Sequence, residues 1–466
     1  MRVLKFGGTS VGSARAVSRV VEIVRGRLQY RPVVVVSALS GVTDLLYRIA
    51  ASSPETLPEL VRALQERHFS LVRELFPSDN ARCIHLKKVL QEFIDGICAT
   101  MRQGTLSDRD RAAVISCGEL MSSKIVCEAL CSAGIRTEWV DAREMMIATG
   151  DPLSSEPLTE EIDERAPRVI GEAFGGTAPA PAACNPGAPA PAASGKAAVE
   201  AVITQGFICS SPSGKAAVLG RGGSDYSASL IGCALDADAV EIWTDVDGVR
   251  TADPRRVPTT RCLECISYEQ AAEMAHFGAK VLHPLTLEPA KVHNTPVYVL
   301  NTHNPSGGHT VVLCAEKAHN EVKSVSYKEK ILVITMMSRQ PMDSSAFLKK
   351  VFDVFGRCRI PLDLVSTNNA CLSVTVDASC KNLDAAIREL ETFADVAVDT
   401  DKSQISAIGS SAVGMNGILA MTFAPLRDCK IYMVSPGASF VNISFVVDRT
   451  SLDQVLCQTH KFLIER

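Results

Sequence analysis

The chain opens with Val3-Leu4-Lys5-Phe6-Gly7-Gly8-Thr9-Ser10, an apolar stretch that runs directly into a pair of glycines. The apolar residues predict a short strand, and the glycines predict a break at its carboxyl end. Valines then recur at helical spacing from Val17 to Val24, and Val33-Val34-Val35-Val36 is the unbroken apolar run expected of a strand buried on both faces. This order of strand, glycine loop, helix and strand indicates an α/β fold.

The same order recurs further along the chain. A second loop at residues 37–43 precedes a helix predicted from Asp44, and a third loop, Gly220-Arg221-Gly222-Gly223, lies between strands predicted at residues 201–204 and 239–243. Residues 297–300 are predicted to form the last strand of this region. We therefore expect one α/β domain over residues 1–302, with a mostly parallel central sheet and helices on both faces.

The composition is that of an ordinary globular protein. Of 466 residues, 46% are hydrophobic and 21% are charged, and 48 Lys and Arg against 52 Asp and Glu leave a net charge of −4. These values exclude a disordered chain and a polybasic nucleic-acid binder. No apolar run reaches the roughly 18 residues of a membrane span, and Lys5 interrupts the segment where a signal peptide would be apolar. We expect a cytoplasmic protein whose 16 cysteines are reduced.

Residues 177–194 interrupt the α/β domain with a segment rich in alanine and proline. In it, Ala178-Pro179-Ala180-Pro181 recurs as Ala188-Pro189-Ala190-Pro191. Proline lacks a backbone donor, so this segment is not expected to form a helix or a sheet. Because the α/β order continues on both sides, we expect an inserted disordered loop and not a linker between domains. A proline-rich ligand for a partner protein is the alternative interpretation.

Beyond residue 302 the pattern changes to two similar units, at residues 303–400 and 401–466. Val374-Thr375-Val376-Asp377 in the first and Phe445-Val446-Val447-Asp448 in the second occupy matching places. The pattern is typical of a small βαββαβ module used twice, each with a four-stranded antiparallel sheet and two helices on one face. Neither unit carries a catalytic or metal-binding constellation, so we expect binding modules.

The three glycine loops indicate a phosphate site. Loops at the carboxyl ends of parallel strands face one crevice, where helix amino termini offer free N–H groups to anions. A tight turn would explain any one loop, but Lys5 and Arg221 in two of them favour a phosphate chain. Neither G-x-x-x-x-G-K-S/T nor G-x-G-x-x-G occurs where it would be needed. A P-loop ATPase and a dinucleotide-dependent dehydrogenase are therefore disfavoured.

Five motifs closely resemble those of the aspartate kinases, which are members of the amino-acid kinase family. They are residues 1–10, residues 116–122 (Ser-Cys-Gly-Glu-Leu-Met-Ser), residues 221–225 (Arg-Gly-Gly-Ser-Asp), residues 243–249 with 253–255, and residues 277–284 (Phe-Gly-Ala-Lys-Val-Leu-His-Pro). The paired modules resemble the two ACT regulatory domains of the single-function enzymes. No dinucleotide-binding loop follows the second module, so a fused homoserine dehydrogenase is not expected.

The resemblance implies transfer of the γ-phosphoryl group of ATP to the side-chain carboxylate of L-aspartate, giving 4-phospho-L-aspartate on the route to lysine, threonine and methionine. The implied catalytic residues are Lys5, Asp225 and Lys280. The implied aspartate contacts are Ser37, Thr43, Glu119, Arg221, Gly222, Gly223 and Ser224. The implied ATP contacts are Lys5, Phe6, Gly7, Gly8, Thr244, Asp245, Arg250, Arg255 and Lys280, with Arg250 where many members have tyrosine. Mg²⁺ is expected with ATP, held largely by phosphate oxygens and water, so no metal ligands are assigned.

The resemblance also implies feedback by an amino acid, most simply lysine, and a homodimer formed through the ACT domains. Asp363 matches an effector-contacting position, but Thr367-Asn368-Asn369 replaces the Thr-Ser-Glu of many lysine-sensitive members. Two alternatives weigh less: a related kinase acting on glutamate, against which Glu119 and the ACT pair argue, and a catalytically weak amino-acid sensor on a kinase scaffold. The sensor is disfavoured because the charged set of Lys5, Glu119, Arg221, Asp225 and Lys280 is present. A zinc site at Cys262 and Cys265 is disfavoured because no second Cys-x-x-Cys lies nearby.

Overall fold

The computed structural model describes residues 1–175, 198–278, 282–314, 321–339, 343–368, 371–410, 417–436 and 441–465. The insertion predicted at residues 177–194 lies outside these ranges. The chain forms two compact units. The first consists of Met1–Val249, Glu264–Tyr268 and Val281–Cys314, and the second consists of Arg250–Leu263, Glu269–Lys280 and Ala315–Arg466.

The secondary structure alternates between strands and helices at first and is richer in long strands later. The strands are β1 (Arg2–Phe6), β2 (Val33–Val36), β3 (Thr137–Trp139), β4 (Ala148–Asp151), β5 (Ser154–Pro157), β6 (Ala201–Gln205), β7 (Ile208–Ser210), β8 (Ala216–Val218), β9 (Ala239–Thr244), β10 (Cys265–Ser267), β11 (Val297–Asn301), β12 (Thr310–Leu313), β13 (Glu321–Ser338), β14 (Val365–Asn368), β15 (Cys371–Asp377), β16 (Ala394–Ser410), β17 (Ile431–Pro436) and β18 (Asn442–Asp448). The helices are α1 (Ala14–Arg25), α2 (Val42–Ala50), α3 (Leu57–Leu75), α4 (Asn80–Met101), α5 (Asp108–Ser132), α6 (Thr159–Ala173), α7 (Gly223–Ala234), α8 (Tyr268–His276), α9 (Pro284–His293), α10 (Ser344–Arg357), α11 (Leu383–Leu390), α12 (Ile418–Phe423) and α13 (Leu452–Ile464).

The first unit is built on an eight-stranded sheet with the order β10-β12-β11-β9-β1-β2-β6-β3. From β11 to β3 every neighbouring pair is parallel, and only the pair of β11 with β12 is antiparallel. All four valines of β2 are fully buried, as expected of a central parallel strand. This arrangement confirms the predicted α/β class and places the first glycine loop at the middle of the sheet.

The strand predicted at residues 297–300 is present as β11, but it is not the last strand of this sheet. β12 follows it and turns back antiparallel beside it. β12 is short, and its alternation of buried and half-buried residues is weak evidence of a strand in the sequence alone. The boundary predicted at residue 302 falls between these two strands, and the first unit continues to Cys314.

The second unit is built on a six-stranded antiparallel sheet with the order β14-β15-β13-β16-β18-β17. The antiparallel character predicted for the two modules is confirmed, but their sheets are continuous and not separate. The long strands β13 and β16 run through both halves, since residues 331–338 pair with 394–402 and residues 321–328 pair with 404–410. A register shift between Lys328 and Ile331, with Lys330 at a φ of 58°, divides the halves.

Each half of this sheet has its own hydrophobic core. One core joins β13 and β15 to α10 and α11 through residues such as Ile334, Phe347 and Leu390. The other joins β16 and β18 to α12 and α13 and includes Val322 and Val325, which precede the first half in sequence. The four strand segments of the second half therefore include residues 321–328. Within the described ranges, no helix has both the length and the apolar character needed to cross a membrane.

Candidate active site

A cleft of about 640 Å³ opens at the carboxyl ends of β1, β2 and β6 in the first unit. It collects residues from all three predicted glycine loops and from the middle of α5. Its lining consists of Lys5, Gly7, Gly8, Ser37, Ala38, Leu39, Ser40, Gly41, Thr43, Asp44, Tyr47, Glu119, Phe207, Gly220, Arg221, Gly222, Gly223, Ser224 and Asp225. The sequence prediction that the loops face one crevice is therefore confirmed.

Lys5 and Asp225 form an ion pair at this cleft. Lys5 is the penultimate residue of β1, where its neighbours Leu4 and Phe6 are fully buried, and Asp225 lies in the first turn of α7. Both side chains are largely shielded, with 11% and 19% of their surfaces exposed. Shielding of this degree strengthens the attraction between the Lys5 ammonium group and a bound anion. The pair therefore places a cation beside the first glycine loop.

Gly8 allows the first two loops to approach each other. A Cβ atom at this position would lie 2.8 Å from the carbonyl oxygen of Ala38, which leaves no room for a side chain. The Ser40 N–H donates to the Gly8 carbonyl over 3.1 Å, so the two backbones are joined. In the second loop, Gly41 is the residue before α2 and adopts a φ of 79°. Backbone groups of both loops thus border one small volume.

Glu119 is a buried carboxylate at the base of the cleft. Only 2% of the residue is exposed, and burial raises its pKa to about 8. Its Oε1 accepts from the Ala38 N–H over 3.3 Å, while Oε2 has no hydrogen-bond partner among the described residues. A carboxylate in this position becomes charged readily only when a cation binds beside it. The geometry therefore suits a ligand that carries an ammonium group.

Arg221 supplies the opposite charge on the third loop. It is exposed at the cleft, and among the residues that the structure describes it has no ion-pair or hydrogen-bond partner. Gly223 and Ser224 follow it in the first turn of α7, the helix end that attracts anions, although the Gly223 N–H itself donates to the Gly220 carbonyl over 3.1 Å. Ser37 and Thr43 line the cleft from the second loop. The cleft thus offers both an anion site and a cation site for one zwitterionic ligand.

Several of the predicted nucleotide contacts lie outside the cleft that contains the predicted aspartate contacts. Thr244 and Asp245 lie at the carboxyl end of β9, joined by a 3.2 Å hydrogen bond from the threonine hydroxyl, and neither lines the cleft. The Phe6 ring is fully buried and stacks on Trp243 at 6.0 Å, so only its backbone can reach a ligand. Lys280 lies outside the described residues.

Two of the predicted nucleotide contacts, Arg250 and Arg255, belong to the second unit, where each binds another side chain of that unit. Arg250 donates from Nε to the Thr260 hydroxyl over 2.8 Å. Arg255, which is 80% exposed, pairs with Asp253 at 2.7 Å, and this hydrogen-bonded pair lowers the pKa of Asp253 to about 2. Both guanidinium groups are therefore held by their own unit.

Sequence reasoning missed two aromatic residues of the cleft. Tyr47 lies one helical turn after Thr43 on α2, so helical spacing from a predicted site residue was the signal that could have found it. Burial raises the pKa of Tyr47, and the charges of Glu119 and Asp44 add to this effect. Phe207 reaches the cleft from a backbone with a φ of 68°, for which the sequence gives no local signal.

Comparison with known proteins identifies the chain. Residues 1–301 match the amino acid kinase family. The chain is 31% identical to lysine-sensitive aspartokinase 3 of Escherichia coli over 474 residues, which cover 99% of both proteins. The chain belongs to the amino acid kinase family, as an aspartate kinase. The crystal structure of E. coli aspartokinase III in complex with aspartate and ADP matches it with a TM-score of 0.78 and 30% identity, covering 99% of each chain.

A second crystal structure of that aspartate kinase, in complex with lysine and aspartate, matches with the same TM-score of 0.78 and 30% identity over 100% of this chain and 99% of the other. The same E. coli enzyme was thus captured with a nucleotide in one state and with lysine in another. Both matches extend over essentially the whole chain, which includes its α/β unit and its antiparallel unit.

Proposed function

We propose that this aspartate kinase transfers the γ-phosphoryl group of ATP to the side-chain carboxylate of L-aspartate and forms 4-phospho-L-aspartate. The observation that carries this proposal is the single cleft in which Lys5, Arg221 and the buried Glu119 meet three glycine loops. Its charges match an amino acid with one ammonium group and two carboxylates. The product would serve the synthesis of lysine, threonine and methionine.

Aspartate binding is assigned to the side of the cleft formed by Glu119 and Arg221. The Oε2 atom of Glu119, without a partner among the described residues, would accept from the α-ammonium group. The Arg221 guanidinium would hold the α-carboxylate through two parallel hydrogen bonds. Ser37 and Thr43 would contact the remaining polar edge, and Gly222, Gly223 and Ser224 would contribute backbone groups. The side-chain carboxylate would then face Lys5.

Phosphoryl transfer in this cleft requires no general base. The attacking carboxylate is ionised at neutral pH, so the obstacle is the approach of an anion to a polyanion. Lys5 would bind the transferred group, Gly7 and Gly8 would donate backbone N–H groups, and Asp225 would fix the orientation of the Lys5 ammonium through their ion pair. Thr244 and Asp245 are proposed nucleotide contacts, and Phe6 contributes through its backbone. The roles of Arg250, Arg255 and Lys280 stay predictions from the resemblance.

Mg²⁺ is proposed to accompany ATP. Within the described ranges, no three His, Cys, Asp or Glu side chains lie close enough to hold a metal by themselves. A magnesium ion that keeps several waters and binds phosphate oxygens needs one or two carboxylates at most, and Asp245 at the carboxyl end of β9 can supply one. The ion would neutralise charge on the phosphates. The remaining charge compensation falls to Lys5 and to the backbone donors.

We propose that two ACT regions, predicted at residues 303–400 and 401–466, regulate the enzyme in response to lysine and join two copies into a dimer. In the second unit, Asp363 accepts from Lys328 over 2.7 Å, and His276 lies 3.3 Å from the same oxygen. Burial opposes the charged form of Asp363, but these two partners lower its pKa overall. Asp363 is thus a carboxylate held in its charged state, which suits an effector with an ammonium group.

The proposed reaction is tested by ATP-dependent hydroxamate formation in the presence of hydroxylamine, with aspartate and glutamate in parallel. We expect product with aspartate and at most a few per cent as much with glutamate. Equal rates with the two amino acids would contradict the proposed substrate. Repeating the assay with lysine at increasing concentration tests the proposed feedback separately.

A further inference from the structure

His283 packs directly against the loop that carries Arg221. A Cβ atom placed on Gly222 would lie 2.6 Å from Cγ of His283, 2.8 Å from its Cβ and 3.0 Å from its Cδ2. Gly222 is the residue before α7 and has a φ of 72°, a conformation that favours glycine. The imidazole therefore occupies the space that a side chain at Gly222 would fill, and it limits movement of the loop on that side.

The position of His283 is itself fixed. It is the residue before α9, and its Nδ1 accepts from the Leu285 N–H over 3.3 Å, which orients the ring. Pro284 restricts the backbone of the preceding residue to the extended conformation that His283 adopts, with φ −91° and ψ 138°. Helices α7 and α9 also pack against each other. The ring is thus a rigid part of the wall behind the Arg221 loop.

We infer that His283 is a positioning residue for aspartate, acting on Arg221 through Gly222 and not touching the substrate itself. His283 does not line the cleft, whereas Arg221, Gly222 and Gly223 do. A guanidinium that must form two parallel hydrogen bonds with a carboxylate loses affinity when its backbone is displaced by about 1 Å. This inference rests on the proposed role of Arg221 in binding aspartate.

The test separates positioning from simple capping of α9. Asparagine is a favourable residue before a helix and can accept from the Leu285 N–H, but it lacks the imidazole ring. His283→Asn is therefore expected to keep the melting temperature of the wild type while the KM for aspartate rises about tenfold and the KM for ATP is unchanged. His283→Ala is expected to lower the melting temperature as well. A wild-type KM for aspartate in His283→Asn would overturn the inference.

A double substitution tests whether His283 affects the KM for aspartate through Arg221. If His283 acts through Arg221, the KM for aspartate of His283→Asn combined with Arg221→Ala equals that of Arg221→Ala alone. Independent, multiplying effects of the two changes would overturn the inference while leaving the proposed role of Arg221 intact. A wild-type KM for aspartate in Arg221→Ala would overturn that proposed role first, and the inference with it.

Discussion

Lys5 and Asp225 come from the first strand and from a helix late in the same unit, and they meet as an ion pair at the edge of the cleft. The sheet explains this meeting, because β1 lies between β2 and β9 at its centre and α7 precedes β9 in the chain. Asp225 neutralises the charge of Lys5 and fixes the direction of its ammonium group. The proposed role of the pair, binding of the transferred phosphoryl group by Lys5, depends on this orientation.

Lys5→Ala is expected to lower kcat by at least about a hundredfold, because it removes a charge aimed at the transition state. The fold should persist, since removal of the Lys5 side chain leaves its fully buried neighbours Leu4 and Phe6 in place. Steady-state kinetics and circular dichroism measure the two properties. Lys88→Ala, at an exposed position on α4, is the matched control and should retain wild-type activity. Turnover near that of the wild type in Lys5→Ala would remove Lys5 from the proposed mechanism.

Arg221→Ala is expected to raise the KM for aspartate by one to two orders of magnitude, roughly the cost of losing a charge-assisted pair. The KM for ATP should change little. Arg221→Lys keeps the charge but loses the planar geometry, so an intermediate KM is expected. Initial rates measured over a matrix of aspartate and ATP concentrations separate the two constants. A rise confined to the KM for ATP would mean that this loop binds the nucleotide.

The α/β class, the glycine loops and their common crevice were predictable because buried parallel strands and Gly-Gly breaks are local signals. Membership of Glu119 in the cleft came from resemblance alone, since a charged residue in the middle of the mostly buried α5 gives no local hint that it faces the cleft. Phe207 and the continuity of β13 through both halves of the second sheet depend on backbone geometry and long-range pairing. Local patterns in the sequence do not encode such features.

The dependence of kcat/KM for aspartate on pH should reveal Glu119. Its raised pKa of about 8 means that the free enzyme carries the protonated carboxyl below this pH, which cannot pair with the α-ammonium group. We expect kcat/KM to rise about tenfold per pH unit and to level off above pH 8. Glu119→Gln should lower kcat/KM above pH 8 and make its rise below pH 8 less steep. An unchanged rise in Glu119→Gln would assign the pH dependence to another group.

Stability at acidic pH should depend on His68. This side chain is fully buried in α3, where its Nδ1 lies 2.8 Å from the Leu64 carbonyl oxygen, and burial lowers its pKa to about 4. The unfolded chain binds a proton near pH 6.5 and the folded chain does not, so stability is lost as the pH falls from 6.5 towards 4. The loss between pH 7 and pH 5 is about 2 kcal/mol.

His68→Leu should remove this contribution to the pH dependence. Urea unfolding at pH 7 and pH 5 measures the difference for the wild type, for His68→Leu and for His85→Leu, a control at an exposed position on α4. We expect the free energy of unfolding to differ less between pH 7 and pH 5 in His68→Leu than in the wild type, and to differ as in the wild type in His85→Leu. Equal differences in all three proteins would show that His68 does not titrate on unfolding in this range.

Lysine inhibition should become stronger when Lys328 is removed. Lys328 and His276 bind the Asp363 carboxylate within the second unit, so an ammonium group of an effector must compete with Lys328 for the same oxygen. In Lys328→Met, the lysine concentration that halves the activity should fall several-fold, whereas Asp363→Asn should abolish the response. Lys349→Met, at an exposed position on α10, is the matched control. An unchanged half-inhibitory concentration in Lys328→Met would separate Asp363 from the effector, and no inhibition of any variant by lysine would reject lysine as the effector itself.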